Sequence, residues 1–242
     1  MSTTVHADTS TFLTSPATAN CRDIHRRGRH VLLGVSPFNS RFSDAYVARL
    51  VRWAHAAFAR VDVLLAGERT AALQLEALDT PEGKARYKAR RAIRRNRRSV
   101  EEALVRLGVR GGEIGVHQIS DFEEQPAYRR FLALATTAYE NDPAFRGACL
   151  EMAAKAVLGR LRTVHGRSTP VTAAQAEHAA PYVLAELPFF LHTPALLGVE
   201  ESLLAYHQRW ELGERIFAGA FSLTAGPHQG YLTVTEDASA RI

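Results

Sequence analysis

Two short apolar runs joined by an amphipathic stretch constrain this chain more than any other feature. "VLLGV" (Val31 to Val35) is apolar on both faces and rich in strand-forming residues, and "VDVLLAG" (Val61 to Gly67) repeats the pattern. A strand that is apolar throughout must be covered on both sides, which is the condition of a parallel sheet sandwiched between helices. Between the runs, "SDAYVARLVRWAHAAFARV" places Tyr46, Val47, Leu50, Val51, Ala54 and Phe58 at helical spacing, with Ser43 as the N-cap. Residues 31 to 67 therefore read as a β-α-β unit with a right-handed crossover. The expected fold is α/β, a Rossmann-like, mostly parallel sheet flanked by helices.

The rest of the chain fits one such domain. With 242 residues and 46% hydrophobic content it can bury a large core, and a single domain over 23–242 is expected. Residues 1–22 are Ser/Thr-rich, without the apolar centre of a secretory signal, and read as a disordered tail on a cytoplasmic protein. No run approaches the roughly 20 apolar residues that span a bilayer, so no membrane partner is expected. Cys21 and Cys149 lack metal-ligand spacing and read as plain thiols. "EIGVHQIS" (Glu113 to Ser120) predicts a third strand, 126–140 and 143–162 two helices, and Gly166 to Pro170 a loop. Thr172 and Gln175 form a capping box for a helix that Pro181 should kink or restart. "SLLAYH" (Ser202 to His207) and "YLTVTED" (Tyr231 to Asp237) are late strands.

The charge is concentrated. A long helix is expected over 82–108, and within it "KARYKARRAIRRNRR" (Lys84 to Arg98) holds nine of the chain's 30 Lys and Arg and no acid. Without this block the 25 acids outnumber the bases, so the formal net charge of +5 has a local source. Ala89, Ile93, Val100 and Leu104 form a thin apolar stripe along it. A solvated helix ordinarily alternates signs for i,i+4 pairing, whereas one unrelieved sign suits a polyanion. Arginine outnumbers lysine seven to two, which favours phosphate contact through its planar fork, without a base-reading code.

Three places offer chemistry. Ser36 follows "VLLGV" at the carboxyl end of a strand, where parallel sheets bind ligands. "SPFNS" equally suits a strand-to-helix turn, in which Ser and Asn hydrogen-bond local backbone, and taken alone the segment slightly favours the turn. Phe38 stands where an esterase elbow needs glycine, and no glycine-rich phosphate loop follows. In "PYVLAELPFF", Tyr182 and Glu186 stack at i,i+4 among apolar neighbours. A glutamate there either shuttles protons at a raised pKa or makes a structural hydrogen bond. "AYHQ" adds Tyr206 beside His207.

Taken together these residues resemble the cyclodipeptide synthases, which make cyclic dipeptides from two aminoacyl-tRNAs. One signature, His-x-aliphatic-aliphatic-Gly-aliphatic-Ser, falls on His30, Leu32, Leu33, Gly34, Val35 and Ser36; the other, Tyr-aliphatic-x-x-Glu-x-Pro, falls on Tyr182, Val183, Glu186 and Pro188. The resemblance spans most of residues 25 to 240 and implies a fold similar to the catalytic domain of class I tyrosyl- and tryptophanyl-tRNA synthetases. No ATP-handling motif of those enzymes is present, so no cofactor or metal is implied and the partners are two tRNAs already charged. By the resemblance Ser36 is the nucleophile that carries aminoacyl and dipeptidyl intermediates. Tyr182 and Glu186 hold the substrate amine, with Glu186 as a base, and Tyr206 relays a proton. Asn39, Tyr206 and His207 match the subgroup defined by Asn, Tyr and His. Gly34, Val183, Leu64, Phe189 and Leu204 fall at substrate-binding positions, with Phe189 bulky for that role. Lys88, Arg90, Arg91, Arg94, Arg95, Arg97 and Arg98 form the tRNA-binding helix. His30 is structural, six residues from Ser36. The resemblance leaves the activation of Ser36 unassigned, and a monomer is the default expectation. Two other readings stay open at this point: a non-catalytic RNA-binding protein on the same core, and a serine hydrolase.

Overall fold

The computed structural model describes residues 12–109, 113–165 and 169–237. In chain order these form β1 (Phe12–Pro16), α1 (Ala19–Arg27), β2 (His30–Val35), α2 (Asp44–Ala57), β3 (Arg60–Leu65), α3 (Glu68–Glu76) and α4 (Glu82–Leu107). There follow β4 (Gly115–Gln118), a 3-10 turn (Ile119–Phe122), α5 (Pro126–Asn141), α6 (Pro143–His165), α7 (Ala173–Leu197), β5 (Ser202–Tyr206), α8 (Glu211–Phe217) and β6 (Gln229–Glu236). The predicted β-α-β unit is present as β2-α2-β3, with Ser43 accepting a hydrogen bond from Tyr46 N at the start of α2.

The six strands run in the order β1-β6-β5-β2-β3-β4, all parallel except β1, which pairs antiparallel with β6. From β2 the chain moves outward through β3 and β4, then returns to the other side of β2 to lay down β5 and β6. The strand order therefore reverses between β2 and β5, and in an open parallel sheet the crevice at that reversal, beyond the carboxyl ends, is where ligands bind. β2 is buried along almost its whole length, as a central strand must be. Helix α4 packs against α2 and α3, while α7 packs against α5, α6 and α3 and touches β5 and β6.

Three expectations need correction. Residues 12–22 are not a tail: β1 closes one edge of the sheet and α1 begins at Ala19, capped by Thr18. Phe12 is buried and meets Tyr46 edge-on at 5.8 Å and Trp53 at 5.8 Å, which anchors an otherwise polar edge strand. Residues 1–11 of that expected tail, and 166–168 of the expected loop, lie outside the described residues. Second, α7 keeps its Thr172–Gln175 capping box but runs through Pro181 unbroken. Pro181 lies on the exposed face of the helix, away from the packed core. The break comes at His192 (φ −157, ψ 52), two residues before Pro194. There the freed Thr193 N–H donates to Gln229 Oε1 at 2.7 Å. Third, the strand expected over Glu113 to Ser120 is only Gly115–Gln118, because the chain tightens into the 3-10 turn at Ile119.

The amino-terminal half of the sheet is pinned by a buried polar network. His30 Nδ1 is 2.8 Å from Ser202 Oγ and its Nε2 is 2.9 Å from Asp62 Oδ2. Asp62 also accepts from His117 Nε2 at 3.1 Å, Gly115 N at 3.0 Å and Arg60 Nε at 3.0 Å. Burial opposes the charge on Asp62, but the hydrogen bonds from His117 and His30 and the Arg60 cation outweigh it and hold this carboxyl well below its ordinary range. His30 thus links β2, β3 and β5 and is structural, as expected. Cys21 and Cys149 are buried free thiols, with burial pushing Cys149 up to about 12.

Candidate active site

The β2–β5 reversal brings together residues that the sequence holds far apart. Ser36 leaves the end of β2 and Tyr206 ends β5, and their hydroxyl oxygens are 2.9 Å apart. The contact depends on Gly34, since a Cβ there would sit 3.2 Å from Tyr206 Cδ2. From α7, the Tyr182 phenol faces both the Glu186 carboxyl and the Ser36 hydroxyl. Burial and the neighbouring Glu186 push the Tyr182 and Tyr206 phenols well above their ordinary range, so both stay protonated. Glu186 is half-buried against a cavity but enclosed by apolar walls. Burial pushes its carboxyl up to about 7, partly offset by the Tyr182 hydrogen bond.

Histidine plays no part in the serine's contacts. His207 Nε2 lies 2.8 Å from Asn39 Nδ2, while Asn39 Oδ1 accepts from Arg41 N at 3.0 Å. Because the amide nitrogen only donates, His207 Nε2 is the acceptor and the ring is neutral. Burial keeps it so, lowering its pKa to about 4 with help from the Arg41 charge. Among the described residues no histidine bonds Ser36, which removes the charge-relay arrangement that a serine hydrolase needs. Among them, too, no cluster of His, Cys, Asp and Glu could hold a metal ion.

Two cavities open on the serine. A small one of about 20 Å³ lies among Gly34, Leu64, Ile119, Phe189, Leu204 and Tyr206, with Ser36 and Glu186 also in its lining. It gathers four of the predicted substrate-binding residues, and the bulk of Phe189 helps to make it narrow. A larger one of about 450 Å³ takes in Asn39, Val183, Arg160, Gln208 and Trp210, and again reaches Ser36, Tyr182, Glu186 and Tyr206. Of the predicted substrate residues, His207 lines neither cavity and instead braces Asn39. Sequence reading missed the α6 contribution entirely. Arg160 donates to Phe38 O and its guanidinium sits 5.4 Å from the Phe38 ring. The signal available was an arginine next to the apolar stretch "AVLG" of a helical run, "MAAKAVLGRL".

The basic helix is α4, and the structure divides its cations. Arg90 pairs with Glu68 of α3, so part of the repulsion is relieved by an acid from another helix. Arg97 donates to Val116 O at 3.0 Å, and Arg95 to Phe42 O at 3.4 Å. Lys88 is half-buried. Arg91, Arg94 and Arg98 are exposed, share one helix face, and form no ion pair among the described residues.

Comparison with known proteins joins these observations. A family model described as cyclodipeptide synthase matches residues 12–236. The cyclo(L-leucyl-L-leucyl) synthase of Bacillus subtilis is 48% identical over 225 residues, covering 93% of this chain and 90% of the relative. The crystal structure of a cyclodipeptide synthase from Bacillus thermoamylovorans superposes with a TM-score of 0.89 at 39% identity, covering 95% of this chain and 98% of that one. A Mycobacterium tuberculosis structure, described as demonstrating that cyclodipeptide synthetases are related to type I tRNA synthetases, gives a TM-score of 0.81 at 35% identity, over 94% of each chain. The reversed parallel sheet, the serine at its switch point and these likenesses agree: the chain belongs to the cyclodipeptide synthase family.

Proposed function

We propose that the protein joins two aminoacyl groups, taken from two charged tRNAs, into a 2,5-diketopiperazine by covalent catalysis on Ser36. The observation that carries this reading is the Ser36–Tyr206 hydroxyl pair, set between two cavities and beside a carboxyl whose pKa lies near neutrality. Ser36 Oγ attacks the ester carbon of the first aminoacyl-tRNA, and its proton leaves with the departing ribose hydroxyl. The α-amine of the aminoacyl-enzyme gives a proton to the Glu186 carboxylate and attacks the second ester, whose ribose oxygen leaves protonated. The dipeptidyl amine then attacks the Ser36 ester, closing a six-membered ring, and Ser36 Oγ regains a proton through Tyr206. Each amide replaces an activated ester, so positioning and proton transfer are what the site must supply.

The small cavity receives the first side chain and the large one the second aminoacyl group. Its walls, Leu64, Leu65, Ile119, Phe189 and Leu204, suit an aliphatic side chain, and leucine is the preferred first residue, in keeping with the Bacillus subtilis relative. At about 20 Å³ the cavity must widen by side-chain movement to take it. The Asn39–His207 contact beside Tyr206 supports membership of the Asn, Tyr and His subgroup, and the exposure of Arg91, Arg94 and Arg98 supports their carrying most of the phosphate contact on α4.

The test is incubation with a mixed pool of aminoacyl-tRNAs and mass spectrometry of the products. A leucine-containing cyclic dipeptide is expected, and Ser36→Ala should abolish it while retaining tRNA binding. Folded protein that binds tRNA without making any cyclic dipeptide would refute the reading. Turnover of simple esters without tRNA would support the hydrolase instead.

A further inference from the structure

Asn96 stands in the middle of the arginine block of α4, yet it is only 1% exposed and uncharged. It lies on the buried face with Ile93, Ser99 and Val100. A carboxamide on such a face must find partners, and this one reaches across the fold. Its Nδ2 donates to the backbone carbonyl of Ser36 at 3.1 Å, while its Oδ1 accepts from Arg95 Nη2 at 3.1 Å. Arg95 Nη2 also reaches Phe42 O at 3.4 Å, and Ser99 Oγ donates to Asp44 at the start of α2. Three contacts from one helix therefore hold the segment 36–44 that links β2 to α2.

That segment needs holding. Phe38 has φ 60, in the left-handed region that a residue with a bulky side chain rarely enters. Such a conformation is strained and persists only where its surroundings over-determine it. Arg160 grips the Phe38 carbonyl from the cavity side, and Asn96 grips the Ser36 carbonyl from the helix side.

We infer that Asn96 is a positioning residue: its amide fixes the Ser36 peptide so that Oγ points at Tyr206 and at the incoming ester, tying the basic helix to the nucleophile. The inference rests on the acyl-enzyme reading above. An alanine leaves the carbonyl without a donor, and an aspartate of the same shape sets a negative group against it.

The experiment separates acylation from binding. Transfer of radiolabel from a charged tRNA pool to the full-length protein is followed in a single turnover, and tRNA affinity is measured by filter binding. Asn96→Ala and Asn96→Asp should each slow acylation by about 10- to 100-fold and leave the tRNA Kd within about twofold. Wild-type acylation rates in a folded variant would overturn the proposal, as would acylation and affinity falling in parallel. If neither variant folds, the residue is structural and the proposal also fails. Absence of label on the wild-type protein would instead refute the acyl-enzyme reading itself.

Discussion

The two ends of the sheet each bury a carboxyl group, and they treat it in opposite ways. At the amino-terminal end Asp62 collects donors from His30, His117, Arg60 and the Gly115 N–H, and is held far below its ordinary range. At the carboxyl end Glu186 has the Tyr182 phenol beside it, and burial lifts it to about 7. Burial opposes ionisation in both; the number and charge of the donors decide the outcome. One end is built to keep a charge fixed, the other to let a proton come and go.

Removing the Glu186 proton acceptor should have the largest effect. Glu186→Gln is expected to slow product formation by about 100-fold or more while the protein stays folded. In the wild type the rate should rise with pH through about 7, where Glu186 ionises, and this limb should vanish in the variant. A retained limb would assign the titration to another group. Stability should move the other way: a carboxyl whose folded pKa is raised binds its proton more tightly when folded. Its contribution is fully present below 4.5 and is lost as pH rises through about 7. Urea melts across that range should decline in the wild type and flatten in Glu186→Gln.

Asp62→Ala tests the opposite end. It strands two histidines, an arginine and a backbone N–H, and should destabilise by about 3–5 kcal/mol in denaturant melts. Asp62 is depressed when folded, so its contribution is present above its ordinary 3.8 and is lost as pH falls toward its folded value. The molecules that remain folded should still make product; loss of turnover out of proportion to unfolding would show that the two ends are not independent. Gly34→Ala is the mildest change. The added Cβ pushes the Tyr206 ring by a few tenths of an ångström and should slow turnover by about three- to tenfold, with little change in melting.

The parts legible from sequence were those with a local signal. The β-α-β unit announces itself through two apolar runs and a helical period, and Ser36 stands where such a unit presents its ligand site. Tyr182 and Glu186 share a helix face by simple spacing. What stayed hidden depends on long-range partners. β1 is an edge strand with one buried anchor, Phe12, so its Ser and Thr content reads as loose chain. Asn96 is masked by the arginines around it, although 93, 96 and 100 fall on one face, and a polar residue on an apolar stripe was the clue. The division of the α4 cations is invisible without Glu68, Val116 and Phe42, each supplied by another element.

The order in which the strands are laid down has a consequence for synthesis. β2 can pair with β3 and β4 soon after they emerge from the ribosome, but its other neighbour is β5, and Tyr206 lies 170 residues beyond Ser36. Glu186 arrives only with α7. A nascent chain thus carries the nucleophile long before the groups that orient it. For a protein whose proposed substrates are the charged tRNAs that translation itself consumes, the reactive hydroxyl stays unassembled until α7 and β5 have been made.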